Sequence, residues 1–403
     1  IDVDAWKALF SETTGAAPEA IAAGRGDEAP SYLPTTIALR AQEFVVAGRT
    51  LHNVVLGGSR QGPLWRANVD ATELNGYAEY RQSQDGRLYA RLARLKIAPS
   101  EAPEVASLLD EQPGTLPALD IVVDDFELLG RKLGRAEINA VNLGGAGREW
   151  RLNKLNFTLP EASFTAQGSW AALPAGGAAR ARSSADGRRT AMSFKLEMSD
   201  AGLLLNRFNM KDVVRRGRGQ LEGEVEWRGS PFALDYPSLG GQLHIDVESG
   251  QFLKADPGLA KLLGVLSLQA LPRRLTLDFR DIFSQGFQFD YLRGDAKIDA
   301  GTVSTNNLQM KGVNAAVLME GNADIAQETQ SIHVVVVPEI GAGTAALAAA
   351  VINPAIGLAA FLAQAALSKP LSAAATQEFQ IDGTWADPKI TRVPRTRPQE
   401  NKP

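Results

Sequence analysis

The side chains able to do chemistry are few in this sequence, and their spacing suits none of the common reactions. Histidine occurs only as His52, His244 and His333, and cysteine does not occur. Thiol catalysis, cysteine-held zinc, iron–sulfur clusters and disulfides are thereby excluded. Asp120, Asp124, Asp125 and Glu127 offer carboxylates for calcium. They lack EF-hand spacing, however, and enclose the β-like run Ile121-Val122-Val123, so they read as a solvated strand face. Asp278 and Asp281 could form a glycosidase acid pair, but only residues of one parity share a strand face, and theirs differ. His244, between Gln242 and Asp246, reads as a surface histidine, and His333, inside Ser331–Val337, as a sheet histidine with its partners satisfied. Gly144-Gly145-Ala146-Gly147 is glycine-rich without a following helix pattern, which speaks against a dinucleotide turn. There is no phosphate-loop signature, no G-x-S-x-G elbow and no H-E-x-x-H zinc motif. The expectation is a protein without catalytic residues, metal or cofactor.

The bulk composition narrows the class further. Lys and Arg number 42 against 46 Asp and Glu, a net charge of −4, whereas a nucleic-acid binder would carry a basic face. Apolar residues make up 44% and charged ones 22%, too apolar for wholesale disorder. At 403 residues the length suits two to three domains or one extended repeat body. The sequence starts at Ile1, with Asp2 and Asp4 where a secretory signal would be positive, so a processed product or a piece of a longer protein is expected.

The elements that must position these side chains are mainly strands. Leu221, Val225 and Trp227 alternate with Glu222, Glu224 and Glu226, and Leu243, Ile245 and Val247 with His244 and Asp246. Leu275, Leu277 and Phe279 alternate with Thr276 and Asp278; Val317, Met319 and Ile325 share one parity, opposite to Glu320, Asn322 and Asp324. Period-two alternation marks strands with one apolar and one wet face. Turn signals at Glu248-Ser249-Gly250, Asp299-Ala300-Gly301 and Gln327-Glu328-Thr329 predict an antiparallel meander rather than strand–helix–strand units. Short helices are expected after Asp4, Asp200 and Asp256, and loops over 15–34, 99–117 and 171–189, with a frayed tail from 393. From Ile340 to Ser368 there is no charge, and Asn353-Pro354 divides the run. Proline disfavours a straight helix there, which predicts a helical hairpin or cap rather than a membrane span. Its contact candidates are Leu347, Ile352, Ile356, Leu358, Phe361 and Leu362.

Two architectures could bury such faces. Alternation by itself favours a sandwich or barrel in which the faces pack on each other; the other is a long curved sheet whose apolar face stays open.

The run Leu263-Gly264-Val265-Leu266-Ser267-Leu268-Gln269-Ala270-Leu271-Pro272, continuing through Arg280-Asp281 to Phe283, Gly286, Phe287 and Phe289, bears on that choice. With Val335-Val336-Val337-Pro338-Glu339 and Gly383-Thr384-Trp385-Ala386-Asp387-Pro388 it resembles the C-terminal region of the YhdP family of AsmA-like bacterial envelope proteins. The specific resemblance covers roughly 221–392. It implies a mostly β fold: a long, curved antiparallel sheet forming an elongated groove, a β-taco, with a few short helices and a C-terminal Ala-rich helical segment. The expected sections are a lead-in over 1–34, groove sections over 35–195 and 196–338, the apolar cap over 339–375, and a last strand with tail over 376–403. The resemblance also reverses the preference between architectures and makes the apolar faces a lipid track. Its lining candidates are Leu221, Val225, Trp227, Leu243, Ile245, Val247, Leu275, Leu277, Phe279, Phe287, Phe289, Val317, Met319 and Ile325. The implied partners are phospholipids and two membranes. The implied place is the periplasm of a Gram-negative cell, with an inner-membrane anchor outside this sequence and the C-terminal end toward the outer membrane.

Overall fold

The computed structural model describes residues 35–46, 49–82, 86–98, 116–143, 149–172, 187–231, 234–253, 287–312, 315–338 and 377–393. Among them the fold is mostly β: eighteen strands belonging to one sheet, with one short α-helix and one 3₁₀ turn. The chain divides into two units, one comprising residues 1–160, 164–190 and 229–233, the other 161–163, 191–228 and 234–403. The helices expected after Asp4 and Asp256, the strand over 275–279 and the apolar segment over 340–368 lie outside the described residues.

The first unit holds β1 (Thr36–Val46), β2 (Arg49–Gln61), β3 (Leu64–Asp70), β4 (Leu74–Arg81), β5 (Arg87–Ile97), β6 (Ala118–Leu128), β7 (Arg131–Asn142) and β8 (Glu149–Thr158). Each pairs with the next. Leu129 and Gly130, both left-handed at φ 53° and 75°, make the two-residue turn from β6 to β7. The expected meander fails at one place, because β5 and β6 are parallel, with Leu92 opposite Val123. Two strands can run parallel only if the chain returns across the sheet, which takes about a dozen residues or more. The stretch between Ile97 and Ala118, read in the sequence as a loop, connects the two strands, and its residues 99–115 lie outside the described residues.

One face of this unit is apolar. Ala90, Leu92, Val123, Phe126 and Ala136 form its buried centre, and Ile121, Leu128 and Phe157 pack against it. Phe126 and Phe157 stack with centroids 5.9 Å apart, and Phe157 stacks on Phe164 at 6.0 Å. Phe164 belongs to β9 (Ala162–Ala172), and β10 (Arg188–Met198) follows. These two strands run into the segment expected to be a loop, so the connection is shorter than 171–189.

The second unit holds α1 (Ala201–Arg207), β11 (Val214–Arg228), β12 (Gly240–Phe252), β13 (Phe287–Asp299), β14 (Thr302–Gly312), β15 (Ala315–Asp324), β16 (Thr329–Pro338), β17 (Gln377–Thr384) and β18 (Pro388–Arg392). From β11 to β18 every pairing is antiparallel and sequential. The helix expected after Asp200 is α1: the Asp200 carboxylate accepts from the Leu203 N–H at 2.9 Å, and Ala201, Gly202 and Leu204 bury one side. The turns at Asp299-Ala300-Gly301 and Gln327-Glu328-Thr329 are present, whereas Glu248-Ser249-Gly250 is no turn. β12 continues through it to Phe252. Ser249 is left-handed at φ 51°, opposite Gly217 at 89°, so the ladder twists there rather than reversing. Gly250 is required for packing: a Cβ would come within 2.3 Å of Phe289 Cζ. Gly250→Val is expected to cost about 2–3 kcal/mol by overpacking, read from urea unfolding, with Ser249→Gly as a near-neutral control.

Candidate functional site

β11, β12, β13 and β15 assemble the sequence-identified apolar positions on one side of the second unit. Trp227 joins Leu239 and Ile298 in a buried cluster, with Val225, Leu243, Val303 and Ile325 packed against it. Val247, Phe289 and Val317 belong to a larger cluster with Met310, Val334, Val336, Phe379 and Ile381, flanked by Ile245 and Met319. Leu221 lies directly opposite Ile245 in the β11–β12 ladder, which puts it on the same face. Phe287 occupies β13 opposite Phe252. Leu275, Leu277 and Phe279 lie outside the described residues, as do Leu347, Ile352, Ile356, Leu358, Phe361 and Leu362.

Exposure grades along this face. Phe289, Val317 and Val336 are buried, while Leu221, Val225, Leu243, Ile245 and Met319 are only half-buried. The face is thus apolar throughout and partly open.

The larger cluster has further members. Phe379 and Ile381 alternate with Glu378, Gln380 and Asp382, the same signal used elsewhere. Val334 and Val336 were hidden, because Val335 and Val337 are buried too and the four-valine run shows no alternation. Indeed β15 and β16 are covered on both sides: Ala316, Leu318, Val335 and Val337 are buried on the side away from Val317. Gln309, which pairs with Leu318, is fully buried there with neither amide atom hydrogen-bonded. Sequence alternation had assigned this side to solvent.

The wet side of the second unit carries paired charges. His244 Nδ1 sits 2.7 Å from Asp295 Oδ1, and Asn307 Nδ2 donates to the same carboxylate at 2.7 Å. The His244 hydrogen bond, and then that of Asn307, hold Asp295 below its ordinary value. Both groups are exposed, as expected of a surface histidine. His333 lies 3.8 Å from Glu320 and 3.5 Å from Glu378. Asp120 pairs with Arg91 at 2.8 Å, and Asp124 with Arg135, so two acids of the run sit in ion pairs on a strand face. Among the described residues no group of His, Asp and Glu is arranged to hold a metal. No described helix is long and apolar enough to cross a membrane.

An eighteen-stranded sheet with an apolar side in each unit, and with ion pairs among the described surface charges, defines a class: a mostly β protein built on one large sheet with apolar faces. The chain belongs to the YhdP family, whose family description, "YhdP protein", matches residues 1–390. It is 30% identical over 240 residues to the intermembrane phospholipid transporter YhdP of Escherichia coli (strain K12), an alignment covering 59% of this chain and 18% of that relative. The matched region thus spans under a fifth of the relative's length. No solved structure matches the chain.

Proposed function

We propose that this chain is part of a periplasmic bridge that gives phospholipid an apolar sheet surface on its way between inner and outer membranes. The observation that carries the proposal is the half-buried row Leu221, Val225, Leu243, Ile245 and Met319 beside the buried clusters: apolar side chains left partly uncovered on one side of a sheet. The family relation supports it, since the E. coli relative is named for phospholipid transport. A lipid tail entering water loses about 0.8 kcal/mol per methylene, and an apolar surface removes most of that penalty. Contacts of this kind are weak, repeated and non-directional, so a lipid can slide along them while its headgroup stays wet. The chain's chemistry is then solvent substitution, without a catalytic step. In the whole protein an anchor would hold the bridge to the inner membrane, and the C-terminal apolar segment would touch the outer one.

A second reading is an envelope scaffold whose sheet faces form a closed core. The near-complete burial of Val317 and Phe289 favours it.

Site-specific photo-crosslinking separates the two. A photo-reactive residue at Leu243 or Leu221 is expected to capture phospholipid in cells, and one at Gln242 or Glu222 is not. Equal capture at both parities, or none at Leu243 and Leu221, leaves the scaffold.

A further inference from the structure

We propose that the uncharged stretch 340–368 docks on the second side of β14, β15 and β16, the side facing away from Val317. The inference goes beyond the lipid-track reading and does not rest on it.

That side is sealed. Ala316, Val335 and Val337 are 0% exposed and Leu318 is 2% exposed, and none of them belongs to the cluster around Val317. The ladders place the four together: Ala316 is opposite Val337, and Leu318 is opposite Val335. Lys311, opposite Ala316, surrounds them with Glu320, His333 and Glu378 as a half-buried polar rim. An apolar centre inside a polar rim is the anatomy of an interface. The described elements of this unit do not supply the cover. They are strands of the same sheet, α1, which packs on β11, and a 3₁₀ turn beside β11 and Gly301.

Position and composition point to 340–368 as the occupant. β16 ends at Pro338, one residue past Val337, and β17 resumes at Gln377, opposite Val336. Adjacent antiparallel strands can be joined by about two to five residues. The connection 339–376 is therefore a long excursion that leaves and rejoins the sheet at the edge of the sealed patch. No residue from 340 to 368 is charged, and most are aliphatic or glycine. The connection from β12 to β13 leaves from the same end of the sheet, but it carries charges from Lys254 to Asp281, which are costly to bury against Leu318 and Val335. Gln309 favours a polypeptide over an acyl chain. It is fully buried opposite Leu318 with neither amide atom hydrogen-bonded. A backbone crossing it offers both N–H and C=O, and a hydrocarbon offers neither. Seated there, the stretch lies on the side opposite to Val317 and Met319 and leaves the half-buried apolar row uncovered.

The full chain carrying a photo-reactive residue at Lys311 is irradiated, and the linked peptides are identified by mass spectrometry. The expected product is an internal link to 340–368. The chain has no native cysteine, so Val335→Cys supplies a single thiol for a second measurement. Its maleimide labelling is expected to be slow in the full chain. It should be about tenfold or more faster when 343–366 is replaced by a glycine–serine linker of equal length. L358K/L362K, a smaller change, should move the rate in the same direction. A Lys311 link to 254–286, to a second copy of the chain, to added phosphatidylglycerol vesicles or to nothing overturns the proposal. Labelling of Val335→Cys that both variants leave unchanged overturns it too. If the linker variant does not fold, the Lys311 link decides alone.

Discussion

Arg207→Ala is expected to destabilise the second unit by about 3–5 kcal/mol, because it leaves a buried carboxylate without its counter-charge. Glu161 is 5% exposed and holds the Arg207 guanidinium through both carboxylate oxygens, Oε2 at 2.9 Å from Nη2. Its backbone carbonyl accepts from the N–H of Ser199 at 2.9 Å and of Asp200 at 3.3 Å. Asp200 is the cap of α1 and Arg207 its last residue, so Glu161 grips both ends of the helix. Gly202 seats that helix so closely that a Cβ would meet the Val214 carbonyl oxygen at 2.4 Å. The Arg207 hydrogen bond holds the Glu161 carboxyl below its ordinary value, while burial opposes it. A carboxylate depressed on folding stabilises fully above its unfolded pKa and loses that contribution as pH falls through its folded one. Wild type should therefore weaken below about pH 4. In Arg207→Ala burial is opposed only by a backbone hydrogen bond, and the loss on acidification should shrink or change sign. Urea unfolding at neutral and acid pH reads both effects. Glu161→Gln combined with Arg207→Ala should recover part of the loss, and strictly additive single effects would show that the pair is not coupled.

Leu318→Asp is expected to be as damaging as Val317→Asp, about 4 kcal/mol or more each, although the two side chains point to opposite sides of β15. Each removes a buried aliphatic group and buries an unpaired charge; their exposures are 2% and 1%. Glu320→Ala, one step further along the Leu318 side, should stay within about 0.5 kcal/mol. A one-sided sheet would give a large effect at Val317 and a small one at Leu318. Equilibrium unfolding of the three variants decides between these patterns, and a near-neutral Leu318→Asp would return the second side of β15 to solvent.

Much of the fold was legible because alternation is a local signal. A strand with one wet face writes its orientation into every second residue, so Leu243, Ile245 and Val247 or Leu221, Val225 and Trp227 could be assigned a common side from sequence. The Asp200 cap announced α1 for a similar reason, since capping needs only the next three residues. The lack of cysteine and the scatter of the histidines removed whole classes of chemistry. The family resemblance rested on contiguous motifs, which sequence also carries.

Tertiary structure decided whatever depended on distant partners. The parallel β5–β6 pair is invisible locally, because a strand's own residues are the same whichever way its neighbour runs. The burial of Val335 and Val337 together with Val334 and Val336 erases the alternation that would have marked a face. Ser249-Gly250 has turn composition, yet the ladder between β11 and β12 continues through it because Gly217 and Ser249 twist together and the Phe289 ring occupies the space a side chain at Gly250 would need. Glu161 and Arg207 are far apart in sequence and meet only because α1 folds back beside β9. Composition and periodicity set which side of each strand avoids water, and long-range pairing settled what each side then met.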